Sequence, residues 1–408
     1  VTAVAPSVPA SGTLPPPART FPVLDSMRAV GALAVLTTHV SFWAGAYTGN
    51  GVWGSLLARL DVGVAIFFVL SGFLLSRPWI IAAQVHAPRP GVGRYFWKRF
   101  LRIFPVYIVT AVIALSLLHD NQGLGVRHWL TTLSLTDIYV RDVLPAGLTQ
   151  MWSLATEVAF YVVLPLLMLI GVGRGRLRPV RLVALLVAMA ATSVVWLGWL
   201  AYEVPGAGHR AVNEWLPAFL GWFAVGIGLA LLHRLHESGT APAAISRVVD
   251  RVSSSPGSCW TAAAGLMLVA ATPVAGPTLL IAPTPSEAVT KNLLYAGVGG
   301  LLVFTGVFAT GAPGYARLMS HRFLRHLGHI SYGVFCIHLP VLHFVMWWTG
   351  YRLFDGHLVQ IFGLTLLLSL LAAEVLYRLV ELPCQRLKDL GRRSAATTTA
   401  TDTAATTR

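Results

Sequence analysis

The chain predicts an all-α, polytopic membrane protein of about ten transmembrane helices with both termini on the cytoplasmic side. Three observations predict it. Hydrophobic residues make up 55% of the 408 and charged residues only 11%, against about 25% in an ordinary soluble domain. The mean hydropathy is +0.68. The basic residues, 30 Lys and Arg against 16 Asp and Glu, fall in short runs between apolar stretches. A net charge of +14 would suit nucleic acid only on a soluble module with one basic face. Distributed as it is, it marks loops that obey the positive-inside rule. The expected partner is membrane lipid, not nucleic acid.

Stretches near the 20 apolar residues a bilayer requires fall at 27–46, 61–83, 101–119, 150–171, 181–202, 214–233, 259–279, 290–311, 328–349 and 358–380. The seventh is interrupted by Pro273 and Pro277 and is the least regular. With the N-terminus inside, 24 of the 30 basic residues lie on cytoplasmic segments. Arg59, Arg127, Arg141, Arg210, Lys291 and Arg352 lie outside. That bias requires an even number of spans in a cytoplasmic (plasma) membrane, and losing the seventh would strand the later basic loops on the wrong side. Residues 1–20, rich in Pro, Ala and Ser, read as a disordered cytoplasmic tail without the basic n-region of a secretory signal. Residues 21–390 form one transmembrane domain, and 391–408, rich in Ala and Thr, a second disordered tail. Cys259, Cys336 and Cys384 lack CxxC spacing, so neither a disulfide framework nor a zinc site is expected.

Ionisable groups inside spans are costly, and each is a site candidate by default. Four stand out: Arg28 and His39 in the first span, Glu157 in the fourth and His338 in the ninth. At about 1.5 Å rise per residue, His39 lies roughly 16 Å above Arg28, Glu157 roughly 10 Å below its outer entry and His338 roughly 15 Å above Gly328. All three fit the middle third of a layer about 30 Å thick, which permits a single site. A histidine with a carboxylate is the minimum equipment for general-base attack by a hydroxyl: imidazole takes the proton, and the carboxylate fixes its tautomer. The competing reading is a histidine hydrogen-bonded to a neighbouring helix as structural glue.

Arg94, Lys98, Arg99 and Arg102 form a second constellation. Positions three apart share a helix face, so Arg99 and Arg102 make a two-guanidinium clamp suited to phosphate oxygens. The alternative is lipid head-group anchoring. His321, His326 and His329 include an i, i+3 pair but no accompanying ligand set, so no metal is expected. Trp347, Trp348 and Tyr351 read as an interfacial belt. There is no GxSxG elbow and no phosphate-binding loop.

The ordered motifs carry a family resemblance. Leu24-Asp25-Ser26-Met27-Arg28, running on to His39, resembles the first span of the acyltransferase-3 family of membrane O-acyltransferases. Asp61-Val62-Gly63-Val64 leads into Phe67-Phe68-Val69-Leu70-Ser71-Gly72-Phe73. Arg99-Phe100-Leu101-Arg102 resembles that family's RxxR element. Trp152-Ser153-Leu154 with Glu157, Phe160 and Tyr161 resembles its fourth-span motif. Gly328 to Ser331-Tyr332-Gly333 and His338 resembles a late-span motif, and Glu381-Leu382-Pro383 with Arg386 the closing one. The likeness runs from about residue 24 to 386. Ser26 stands where the family often has glycine, and no C-terminal hydrolase-like domain is expected.

The resemblance implies a ten-helix core that moves a short acyl group, acetyl or succinyl for example, from acyl-coenzyme A. The acceptor is a hydroxyl of an envelope glycan, a glycolipid or a secondary metabolite. Acyl-coenzyme A would be a co-substrate, with no permanently bound cofactor. Carried onto this chain, His39 is the base and Glu157 supports it or the acceptor. Arg99, Arg102 and Arg28 engage the donor. Asp25, Asp61, Ser71, Trp152, Ser153, Ser331, Tyr332 and His338 bind substrate or support the site. The competing class is a transporter that uses the intramembrane His and Glu as a proton relay.

Overall fold

The computed structural model describes residues 21–141, 143–173, 176–204, 210–278 and 281–389. The tails expected at 1–20 and 391–408 lie outside the described residues. Ten helices organise the fold: α1 Pro22–Trp43, α2 Gly63–Gln84, α3 Val92–Leu117, α4 Met151–Gly171 and α5 Pro179–Val195, then α6 Leu216–Glu237, α7 Pro256–Ala270, α8 Pro285–Val307, α9 Arg322–Thr349 and α10 Leu358–Leu376. Among the described residues, nine helices are long and apolar enough to cross a membrane, so the chain is an integral, multi-pass membrane protein. Without water in the hydrocarbon layer every backbone group must be satisfied within its segment, and helices do that.

The remaining helix, α7, has 15 residues, or about 22 Å of rise. It stops where Pro273 opens a 3-10 turn, so the expected span to 279 is a short helix followed by a turn. Helix α3 begins at Val92 rather than 101. Arg94, Lys98, Arg99 and Arg102 therefore stand on its first turns.

Proline starts or interrupts many of these helices. Pro22, Pro179, Pro256 and Pro285 occupy first-turn positions, where a missing N–H costs nothing. Interior prolines free a carbonyl four residues back, and two of those carbonyls are matched by side chains from other helices. Pro340 leaves the carbonyl of Cys336 without its helical partner, and Gln150 Nε2 donates to it at 2.9 Å. Pro165 does the same for Tyr161, whose carbonyl accepts the Tyr95 hydroxyl at 3.1 Å.

Helix α1 packs along α9 and against α2, α2 packs along α6 and α8, and α9 packs along α10. α9 is the most buried span, whereas α5 and α10 are the least and form the lipid-facing periphery. Two glycine contacts set the spacing near the site. A Cβ on Gly226 would lie 2.1 Å from the Val69 carbonyl oxygen, and one on Gly328 would lie 1.9 Å from that of Asp25. The α2–α6 and α1–α9 backbones thus approach as only small residues permit.

Candidate active site

The α1–α9 seam brings His39 and His338 together. His39 Nδ1 lies 3.0 Å from His338 Nε2. His338 is fully buried, and its Nδ1 lies 2.8 Å from the carbonyl oxygen of Phe335 and 3.1 Å from that of Val334. A carbonyl only accepts, so His338 Nδ1 carries the proton. With His338 neutral, its Nε2 is an acceptor, and the hydrogen between the rings belongs to His39 Nδ1. His39 Nε2 is left with a lone pair and no partner among the described residues. The hydrogen-bond network therefore assigns both tautomers.

Glu157 is elsewhere. Its Oε1 accepts the Tyr161 hydroxyl at 2.6 Å and the Ser71 hydroxyl; it makes no hydrogen bond to His39 among the described residues. The mid-membrane coincidence of three ionisable groups thus resolves into a histidine pair and a separate carboxylate. Tyr161 stands one helical turn from Glu157, a spacing visible in the sequence.

Arg28, Arg99 and Arg102 gather at the end of the bundle where α3 begins, within electrostatic range of one another and of Tyr161. Arg99 and Arg102 also act on the Glu157 carboxylate. Two of the three pair directly with a carboxylate. Arg28 Nη1 bonds Asp25 at 2.6 Å, and Arg102 Nη1 lies 3.3 Å from Glu381. A π-turn at Tyr377–Glu381 sets Glu381 inward, where it is 1% exposed and also accepts Gln385 Nε2 at 2.7 Å. Arg99 makes no hydrogen bond or ion pair among the described residues, and its Nε is buried.

Beside Glu157 lies a small cavity of ≈ 30 Å³ lined by Phe67, Ser153, Glu157, Tyr332 and Phe335, among others. Its Phe335 ring is 6.2 Å from the His338 ring. The Tyr332 hydroxyl donates to the Ile103 carbonyl at 2.8 Å, which ties α9 to α3.

The other expected residues serve their surroundings. Ser153 donates to Gln150 and Ser331 to Gly328, each one turn back. Trp152 packs on Phe219 with ring centroids 5.2 Å apart. Asp25 also faces Arg325 at 3.7 Å and His329 at 3.6 Å. Asp61 bonds Lys291 at 2.6 Å and the Tyr295 hydroxyl, on the opposite end of the bundle. Arg59, buried next to it, donates to carbonyls of Ala270 and Gly276. Sequence reading quoted Tyr161 and Glu381 in motifs without a role, counted Lys291 only as an outer basic residue, and gave no role to Gln150 or Tyr295. Among the described residues no group of three or more His, Cys, Asp or Glu could hold a metal ion.

The family profile described as an acyltransferase domain matches residues 21–374. The chain belongs to the acyltransferase-3 family and is a membrane-embedded acyltransferase. It is 27% identical to Acyltransferase MdmB of Streptomyces mycarofaciens, over 94% of this chain and 96% of that protein. It is 25% identical to Peptidoglycan O-acetyltransferase OatA of Listeria monocytogenes over 79% of this chain, but spans only 49% of that longer relative. With Nodulation protein 10 of Rhizobium leguminosarum it shares 31% identity over 35% of this chain and 43% of that protein. No solved structure matches.

Proposed function

We propose that this protein is an O-acyltransferase of the plasma membrane. In this reading it moves a short acyl group from acyl-coenzyme A to a hydroxyl of an envelope glycan, a glycolipid or a secondary metabolite. The observation that carries it is the His39–His338 pair, which leaves His39 Nε2 unprotonated in a bundle whose α3 end gathers three guanidinium groups. The relatives' printed names, an acyltransferase and a peptidoglycan O-acetyltransferase, support the reaction class.

The nucleotide end of the donor sits at Arg99, whose guanidinium has no bonded carboxylate among the described residues, while Arg28 and Arg102 add to the field around it. The pantetheine arm threads between the helices near Glu157 and Tyr332, where a small cavity lies, to bring the thioester to His39. His39 Nε2 takes the proton of the acceptor hydroxyl as its oxygen attacks the thioester carbon. The new C–O bond forms, the C–S bond breaks, and the proton on Nε2 passes to the departing thiolate. His338 holds the His39 ring so that Nε2 faces the substrate. Glu157, held by Ser71 and Tyr161, shapes the passage and balances the charge of Arg99 and Arg102.

Purified protein in nanodiscs with acetyl- or succinyl-coenzyme A and candidate acceptors should release free thiol together with acylated acceptor. His39→Ala should abolish that release while retaining donor binding. Absence of thiol release above background from wild-type protein over a broad acceptor set, or export of a preformed acyl product without it, overturns the proposal. Near-normal turnover in folded His39→Ala protein removes His39 from the mechanism.

A further inference from the structure

Helix α3 and the segment that follows α10 touch at the end that holds the arginines, through Arg102–Glu381 and through Trp97 Nε1, which donates to the Leu387 carbonyl at 3.5 Å. Toward the opposite end α3 and α10 flank α9 across a gap. The gap is a groove of ≈ 840 Å³, within the range of about 300–1,000 Å³ that small-molecule sites occupy. Its wall is apolar along Leu117, Ile337, Val341, Phe344, Leu368 and Ala372. Leu117 is 72% exposed and Trp347, at the rim, 77%, so the groove opens sideways toward lipid.

One end of the groove is different in chemistry. His119, Asp120 and His343 line it, and the Asp120 charge reaches His343. His343 Nε2 accepts the Gly147 N–H at 3.1 Å. The proton of its ring is therefore on Nδ1, a donor with no partner among the described residues. The same ring packs on Trp43 at 4.5 Å between centroids. Trp43 stands one turn beyond His39 on α1, and His343 stands five residues beyond His338 on α9. The Trp43–His343 contact is thus the next rung of the seam that carries the histidine pair. The groove ends on the reactive histidines' own neighbours.

We propose that this groove is a lateral acceptor port: it seats the apolar body of an amphiphilic alcohol dissolved in the bilayer, with the hydroxylated head at Asp120 and His343, beside His39. The inference rests on the acyltransferase reading above and specifies its acceptor class. An amphiphile of this kind matches the groove at both ends, since a long apolar wall removes its body from water and a donor–acceptor pair receives its hydroxyls. A freely soluble sugar would leave the apolar wall bare. A donor arriving from the arginine end and an acceptor arriving from the side do not compete for one entrance.

The test uses the full chain in nanodiscs of phosphatidylethanolamine and phosphatidylglycerol. The probe is dodecyl glucoside with a photoreactive diazirine on its chain, and the control is phosphatidylethanolamine with the same group. The glucoside should label peptides of α3, α9 and α10 and be displaced by excess unlabelled dodecyl glucoside. Ala372→Trp and Val341→Phe, which fill the groove, should each cut labelling at least about tenfold, a difference well resolved in affinity terms. Donor binding, unchanged in both, shows that they fold. His39→Ala should keep the labelling and lose transfer to the glucoside. Two results overturn the port: labelling that survives both groove-filling variants, or equal labelling by the phospholipid probe without displacement by dodecyl glucoside, which makes the groove a lipid seat only. Failure of thiol release with every acceptor would instead overturn the transfer reading while leaving glucoside labelling of the groove intact, so the two failures are distinguishable.

Discussion

Replacing His338 by Phe keeps a ring of similar shape and removes the Nε2 acceptor for His39. The His39 Nδ1–H then loses its 3.0 Å partner, with only the Val35 carbonyl one turn back within reach among the described residues, and a donor left unsatisfied costs up to roughly 1–3 kcal/mol. If that cost falls on the catalytic orientation of the ring, turnover drops roughly 5- to 150-fold. His39→Ala removes the base itself, an effect of roughly 10²–10⁴-fold. Because His338 acts only through His39, the double variant should be no slower than His39→Ala alone. Glu157→Gln acts on a different set of partners, so its loss should multiply with that of His338→Phe. His338→Gln returns an acceptor near the lost Nε2 and should recover part of the rate. The assay is thiol release at saturating donor, with donor binding as the check on folding. A His338→Phe loss that persists in full in the His39→Ala background, or a Glu157→Gln loss that vanishes in the His338→Phe background, refutes the pairing.

Three further outcomes follow from particular contacts. Arg99→Ala should raise the donor KM at least about tenfold, the loss of a charge-assisted contact of roughly 1.5–3 kcal/mol, with the melting temperature nearly unchanged. Arg102→Ala should also destabilise the fold, because it strands the buried Glu381 carboxylate, and adding Glu381→Gln should restore thermal stability; an unchanged melting temperature in Arg102→Ala would remove that pair from the fold. Gln150→Ala leaves the Cys336 carbonyl bare and should cost roughly 1–3 kcal/mol in unfolding, whereas Pro340→Ala in that background restores the helical N–H and should recover most of it. For topology, tags at residues 10 and 400 should report a cytosolic location, and a cysteine at the exposed Val143, in a Cys384→Ser background, should label from outside; a C-terminus accessible from outside would end the arrangement with both termini inside.

The spans were legible in the sequence because hydropathy reports one coordinate, position along the membrane normal. The same coordinate placed His39, Glu157 and His338 at one depth. It could not say which pairs meet, because that depends on the angle each side chain takes around the bundle and on which helices are neighbours. Here α1 packs along α9, held close by Gly328, so His39 meets His338. Ser71 on α2 and Tyr161 on α4 itself hold Glu157. The shortness of α7 and the early start of α3 escaped for a related reason. An apolar count runs past the turn that Pro273 opens after α7 and leaves out the basic first turns of α3, which carry Arg94, Lys98 and Arg99.

Charge placement gives a further reason to separate the donor's two ends. Three guanidinium groups within range of one another would repel, and the protein answers with Asp25 on Arg28 and Glu381 on Arg102. Arg99 has the Glu157 carboxylate within electrostatic range but none bonded to its guanidinium among the described residues, so a polyanionic nucleotide still gains by docking there. Leaving the Arg99 guanidinium without a bonded carboxylate keeps a site that a phosphate completes. The histidines face the opposite requirement. A base must stay neutral until the hydroxyl arrives, and a nearby positive cluster would oppose its protonation. His39 and Arg28 lie 11 residues apart on α1, roughly 16 Å along the helix, which is beyond close Coulombic contact. An extended thioester arm spans such a distance with its uncharged portion. On this reading, the separation that made one site difficult to recognise in the sequence is what lets the same bundle hold an anion at one end and a neutral imidazole in its middle.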